Sequence, residues 1–212
     1  MGKIKQGILG GFSGKVGSVV GSSWKGISYM RGKAVSIKNP RTLQQMMHRN
    51  KFAAALSVLQ PITAFIRVGF KRYAHRQSEF NAAMSYTVKH ALAGTYPDYT
   101  IDFSKLLVSR GSLTGANNQA AAAVTGKIKL TWEDNTGIGE AQPTDKSMLV
   151  AINPAKGEAA YITDGAPRSA AQEDLTVSPF WAGDEVEVYL AFISENGKDV
   201  ATSAYCGSVT IV

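Results

Sequence analysis

The sequence predicts an α+β chain in two parts, a Gly-rich β arm with helices over residues 1–97 and an all-β domain over 98–212. Three observations carry this reading. Apolar residues recur at three- and four-residue steps between Leu43 and Leu92, the period of helices that bury one face. From about residue 125 the period becomes two, as in half-buried strands. The charge also changes sign: residues 1–97 hold 15 Lys or Arg against one acid, Glu79, whereas residues 98–212 hold 8 bases against 15 acids. The halves therefore carry +14 and −7, within a net charge of +7.

The arm, residues 1–38, contains Lys3, Lys5, Lys15, Lys25, Arg31, Lys33 and Lys38 and no acid. Val16–Val20 and Trp24–Met30 read as two short strands joined by a turn at Gly21-Ser22-Ser23. A lone two-stranded hairpin is marginal in water, so something else must hold it: the helices, the β half or another molecule. Gly11-Phe12-Ser13-Gly14-Lys15-Val16-Gly17 invites comparison with a phosphate loop and fails it. Leu9 stands where the first glycine should be, and Val16 follows the lysine where Ser or Thr is needed.

Pro40 biases Asn39 away from the α region, and Thr42 followed by Gln45 has capping-box spacing, so a helix should start here. Its stripe is Leu43, Met46, Met47, Ala53, Ala54, Leu56 and Leu59, read as core. Pro61 interrupts it and predicts a kink or a fresh start before Ile62. A further helix begins near Ser78 with Phe80, Met84, Val88 and Leu92 on one stripe, and Gly94 is placed as its C′ residue.

In the second half, Ile101–Leu113 predicts a strand and Gly115–Gln119 a loop. Ile128, Leu130 and Trp132 share one face of a strand over Lys127–Trp132. Met148–Ile152 is a continuous apolar strand, and Tyr161-Ile162 and Leu175–Val177 are shorter ones. Val186, Val188, Leu190 and Phe192 alternate against Glu185, Glu187, Tyr189 and Ala191. A last strand, 201–211, puts Tyr205, Val209 and Ile211 on one face. Six or seven short strands with turns between them predict a β-sandwich of immunoglobulin or fibronectin type III style, with Trp132 buried inside it.

Hydrophobic content of 44% and charged content of 18% over 212 residues belong to a folded chain with a sizeable core. No apolar run approaches the length of a membrane span. Lys15 and several glycines break up any signal-peptide core, so the expected location is the cytoplasm or a particle assembled there. Cys206 is the single cysteine, which excludes an internal disulfide, and no histidine or lysine neighbours it in sequence to activate it. His48, His75 and His90 lack metal-ligand spacing. Glu173-Asp174 and Asp184-Glu185-Glu187 read as loop and solvated-face charges. No catalytic, cofactor or metal constellation emerges, and the chain is read as non-enzymatic.

Several strings resemble an uncharacterised bacterial domain-of-unknown-function family, numbered 6266. They are Gly10-Gly11-Phe12-Ser13-Gly14-Lys15-Val16-Gly17-Ser18-Val19-Val20-Gly21 with Trp24-Lys25-Gly26 and Arg31, Leu59-Gln60-Pro61 with Gly69-Phe70-Lys71, Asn81-Ala82-Ala83-Met84-Ser85-Tyr86, Gly94–Tyr99, Thr131-Trp132 and Ala191-Phe192. The likeness covers nearly the whole chain and implies no site residues, because the family's function is not established. Asn39-Pro40-Arg41-Thr42 with Gln45, Arg49 and Phe52 also looks like a segment of some phage-type structural proteins.

What stands out is the basic half, interleaved with aromatic residues. Trp24, Lys25, Tyr29, Arg31, Lys33, Arg41, Arg49, Lys71 and Arg72 are the candidate contacts with a partner. The expectation is a structural or assembly protein, of a phage-like particle or another multi-copy complex, whose basic module docks on neighbouring subunits or on another protein. The alternative is a sequence-nonspecific nucleic-acid-binding protein, in which the same cations meet phosphates.

Overall fold

The computed structural model describes residues 2–4, 7, 10–24, 26–36, 39, 41–74 and 77–212. Lys5, Leu9, Lys25, Lys38, Pro40 and His75, used in the reading above, lie outside the described residues. The chain forms two compact units, Met1–Thr42 and Leu43–Val212. The division expected at 97/98 does not coincide with this one, because the helices after Thr42 share a core with the strands of the second half.

In the first unit, β1 (Lys3–Ile4), β2 (Phe12–Val16), β3 (Val19–Trp24) and β4 (Ile27–Gly32) form an antiparallel sheet in that order. The turns fall elsewhere than the glycines suggested. Val16 pairs with Val19 across Gly17-Ser18, and Trp24 pairs with Ile27 across residues 25–26. Gly17 and Gly26 supply the left-handed φ values of +58° and +86° that such tight loops require. Gly21-Ser22-Ser23, expected to turn, lies inside β3. Gly21 serves close approach instead: a Cβ there would stand 2.2 Å from the Phe12 carbonyl oxygen and 2.5 Å from its ring.

The second unit opens with α1 (Leu43–Leu59), immediately after Thr42, and α2 (Thr63–Gly69), the two bent by 88° at the Pro61 break. In α1 the buried residues are Ala55 and Leu59, while Leu43, Ala53 and Leu56, expected in the core, are exposed, as is Phe52. α3 (Glu79–His90) starts where predicted, and the Ser78 hydroxyl accepts from the Asn81 N–H at 3.2 Å as its cap. It ends earlier than predicted. Leu92 and Gly94 belong to β5 (Leu92–Thr95), which pairs with β6 (Asp98–Ile101) in a hairpin, so Gly94 is not a C′ residue. No single helix among the described residues is long and apolar enough to cross a membrane.

The remaining strands make two sheets. β7 (Asn117–Val124), β8 (Lys127–Glu133) and β11 (Gln172–Thr176) form a three-stranded sheet in the order β11-β8-β7. β9 (Lys146–Asn153), β10 (Glu158–Ile162), β12 (Glu185–Ile193) and β13 (Ala204–Thr210) form a four-stranded sheet in the order β10-β9-β12-β13. Between the sheets lie Ile128, Leu130 and Trp132 of β8, Leu149 and Ala151 of β9, and Val186, Val188, Leu190 and Phe192 of β12. The other face of the four-stranded sheet is also buried. Met148, Val150 and Ile152 of β9 and Tyr189, Ala191 and Ile193 of β12 pack with Phe65 and Ile66 of α2, Ala83 and Met84 of α3, and Phe70. The unit is therefore three layers: helices, four strands, three strands.

The last strand is Ala204–Thr210, shorter than the expected 201–211, with Tyr205 and Val209 in different core clusters and not on one face. Three further expectations of the β half need correction. Ile101–Leu113 is not one strand; after β6 the chain runs through a 3₁₀ turn at Phe103–Lys105 and an irregular segment that buries Leu106 and Val108. The expected loop at 115–119 gives way to β7, whose alanines carry little strand propensity yet pair with β8 along Ala120–Val124. Tyr189 and Ala191, assigned to an outer face, are buried because the helices cover it.

Candidate interaction surface

The first unit gathers part of the basic and aromatic set on one sheet face. Register places Trp24 opposite Ile27, Ser22 opposite Tyr29, and Val20 opposite both Lys15 and Arg31. Residues paired across strands share a face, and alternate residues return to it. Trp24, Ile27, Tyr29, Arg31 and Lys15 thus lie together on one side of the sheet. Trp24 is 63% and Ile27 67% exposed, large apolar areas to leave in water. On the opposite side Met30 is 71% exposed.

β4 is the end strand of its sheet, and all six of its residues are exposed. One edge of its backbone therefore has no strand beside it among the described residues. Ile27–Gly32 contains no proline and no bulge, devices that commonly blunt such an edge. Residues 1–42 hold eight Lys or Arg and no acid, so this edge sits in a uniformly basic unit.

The other candidate residues are distributed differently. The Lys33 backbone N–H donates to the Ser18 carbonyl at 2.7 Å and closes the β3–β4 end, while its side chain is exposed. Arg41 is exposed at the end of the first unit, outside any strand or helix. Arg49 lies exposed on α1, in the second unit. Lys71 and Arg72 share a 3₁₀ turn after α2, and both reach the loop between β12 and β13. Lys71 donates to the Gly197 carbonyl at 3.4 Å, and Arg72 pairs with Asp199 at 2.5 Å. These two cations therefore meet acceptors within their own unit.

Sequence reasoning passed over Ile27 and Met30 as contact residues. The signal was present in the alternation Ile27-Tyr29-Arg31 against Ser28-Met30-Gly32, obscured by the misplaced turn.

Elsewhere, reactive groups are engaged in structure. Burial pushes the Cys206 thiol up to about 12, so it is protonated at neutral pH. Glu173 accepts from the Ser147 hydroxyl and, at 2.7 Å, from the Ala166 N–H. Lys156, at 2.7 Å, and Asn153 hold the Asp184 carboxyl below the usual carboxylate range. Glu187 accepts from the Tyr205 hydroxyl at 2.6 Å, and burial followed by this carboxylate raises the phenol. His48 and His90 are exposed, and no cluster of three or more His, Cys, Asp or Glu that could hold a metal occurs among the described residues. A broad open cleft of about 740 Å³ lies between the end of α1 and β10, where the Trp181 indole N–H donates to Glu158 at 2.8 Å.

The chain belongs to a family of unknown function, DUF6266, which it matches over residues 11–207. The match takes in β2–β4, the helices and nearly the whole of both sheets. No curated protein and no solved structure matches the chain.

Proposed function

We propose that this chain is a structural or assembly protein whose N-terminal sheet docks on the surface of a neighbouring subunit in a multi-copy complex, of which a phage-like particle is one form. The observation that carries the reading is β4, an end strand exposed along its full length, with Trp24, Ile27, Tyr29 and Arg31 on one face. Trp, Tyr, Met and Arg are the residue types enriched where protein interfaces are driest. An open strand edge adds main-chain donors and acceptors for β-addition, a mode in which side-chain pockets then set specificity. The acid-free unit and the net −7 of residues 98–212 make another copy's β half an electrostatically suitable target.

Light scattering after size exclusion tests this on the full chain and on a variant lacking residues 1–42, at low and high salt. Oligomers that form at low salt, weaken at high salt and vanish on truncation are the expected result. A full chain that stays monomeric at every salt and concentration overturns it.

A second reading has its own observation: Lys15 and Arg31 lie on the same face as Trp24 and Tyr29, which suits backbone phosphates between stacked bases. Fluorescence anisotropy with a labelled single-stranded oligonucleotide separates the two. Salt-sensitive binding by a monomer favours nucleic acid.

The strand order also supports assigning the sandwich to the fibronectin type III style. The first, second and fifth strands (β7, β8, β11) form one sheet, and the third, fourth, sixth and seventh form the other. In the seven-stranded immunoglobulin constant arrangement the fourth strand joins the first sheet, whereas β10 pairs here with β9.

A further inference from the structure

Between the 3₁₀ turn at Lys71–Tyr73, the C-terminal half of α3 and Arg110 lies a cleft of about 150 Å³ lined by Tyr73, Ser85, Tyr86, Lys89, His90 and Arg110. The backbone fixes its arginine. The Arg110 N–H donates to the Gly69 carbonyl at 3.0 Å, and a Cβ on Gly69 would come within 2.8 Å of Val108 O and Ser109 Cβ, so the two segments lie in close apposition. The guanidinium then lies over the Tyr73 ring at 4.4 Å and the Tyr86 ring at 5.7 Å. Tyr86 also stacks on His90, 4.6 Å between ring centroids. On α3, Ser85 with Lys89 and Tyr86 with His90 are each four residues apart, so one helix face presents a hydroxyl, a phenol, an ammonium and an imidazole.

Among the described residues, no carboxylate lines this cleft, and neither Arg110 nor Lys89 makes an ion pair. Aromatic stacking, not a counter-charge, positions the guanidinium, which leaves its fork of donors open. Grouping an arginine and a lysine without an anion is unfavourable unless water or a ligand compensates them. We propose that this cleft is an oxyanion site that takes one terminal phosphoryl group, free or esterified. A phosphoryl group offers three strong acceptor oxygens, matched by the Arg110 fork, the Lys89 ammonium and the Ser85 and Tyr hydroxyls, whereas a carboxylate would leave donors idle. The volume is about half the smallest usual ligand pocket, ~300 Å³, which suits that group, with the remainder of an ester lying outside the cleft.

The site lies wholly in the second unit and stands apart from the proposed docking role of the first. Calorimetric titration of the full chain at low ionic strength tests it, with inorganic phosphate, O-phosphoserine and acetate as separate probes. Saturable binding of inorganic phosphate or O-phosphoserine in preference to acetate is expected, and the tighter of the two identifies a free or an esterified source. Arg110→Gln should weaken binding about tenfold, the loss of one charge-assisted bidentate contact. Lys89→Gln, at an exposed position, should weaken it several-fold and serves if the arginine variant does not fold. Absence of saturation, acetate binding as well as phosphate, or both variants binding as the parent chain would overturn the assignment.

Discussion

Arg168 shows how much of this molecule rests on one side chain. It is fully buried, its guanidinium 3.8 Å from the centroid of the Phe192 ring. Its Nε and Nη2 donate to Asp145 Oδ2 at 3.2 and 3.1 Å, and Nη2 also donates to the Thr114 carbonyl at 2.8 Å. Nη1 donates to Asn135 Oδ1 at 2.6 Å and to the Gly115 carbonyl at 3.2 Å. Four loop positions are thus tied to one cation, while the Trp132 indole donates to the Arg168 carbonyl at 2.8 Å. Burial holds the guanidinium below its ordinary value, and Asp145 opposes that shift without cancelling it. Removing one partner strands the other, so Arg168→Met should cost about 3–5 kcal/mol in urea unfolding. Pairing it with Asp145→Leu should recover part of that loss, because no unpaired charge is then left buried. Nothing in Gly165-Ala166-Pro167-Arg168-Ser169 announces this role in the sequence. The partners come from remote segments, and a proline-flanked arginine reads as surface. Cys206, by contrast, was legible: an unaccompanied thiol in a strand turned out to be a partly buried strand residue with a raised pKa.

At the scale of elements, pattern and structure agree where one physical cause sets the pattern. β8 alternates as read, with Ile128, Leu130 and Trp132 inward, since only one of its faces is covered. The unbroken apolar run of β9 was also a correct strand, and its lack of alternation reports burial on both faces. β13 departs from simple alternation. Val188 pairs with Gly207 but Tyr189 with Tyr205, so Cys206 is an extra residue at a bulge beside Gly207, whose φ is +93°. Tyr205 consequently packs toward the helices and Val209 toward the other sheet, although the two were expected on one face. In the arm, glycine is ambiguous from sequence because it serves both turns and close approaches. That distinction is testable. Gly21→Ala would drive a Cβ into Phe12, whereas a Cβ on Gly32 meets nothing within 4 Å. Gly21→Ala should destabilise the arm sheet by about 1–3 kcal/mol. Hydrogen exchange should therefore show β2–β4 amides losing protection in Gly21→Ala and keeping it in Gly32→Ala.

For the whole molecule, the decisive fact is which elements share a core. Composition and charge change near residue 97, so a boundary there was the natural inference from sequence, yet charge reports on the solvated surface and not on packing. The apolar faces of α2 and α3 have no partner within residues 43–97 large enough to bury them; they are completed by Met148, Val150, Ile152, Tyr189 and Ala191 across the chain. The Tyr189 hydroxyl, which donates to the Phe103 carbonyl at 2.7 Å, ties the same sheet face to the connector after β6. A fragment of residues 43–212 should accordingly fold cooperatively, with a single unfolding transition and the near-ultraviolet signature of the buried Trp132 and Trp181. A fragment of residues 98–212 retains every strand from β6 to β13 but exposes a contiguous apolar face on its central sheet, a surface that favours aggregation. Size exclusion of the two fragments side by side should give a monodisperse species for the first and aggregates or bound dye (ANS) for the second. A well-folded, monomeric 98–212 would mean that the two-layer sandwich is self-sufficient and that the helices are an addition to it rather than its third layer.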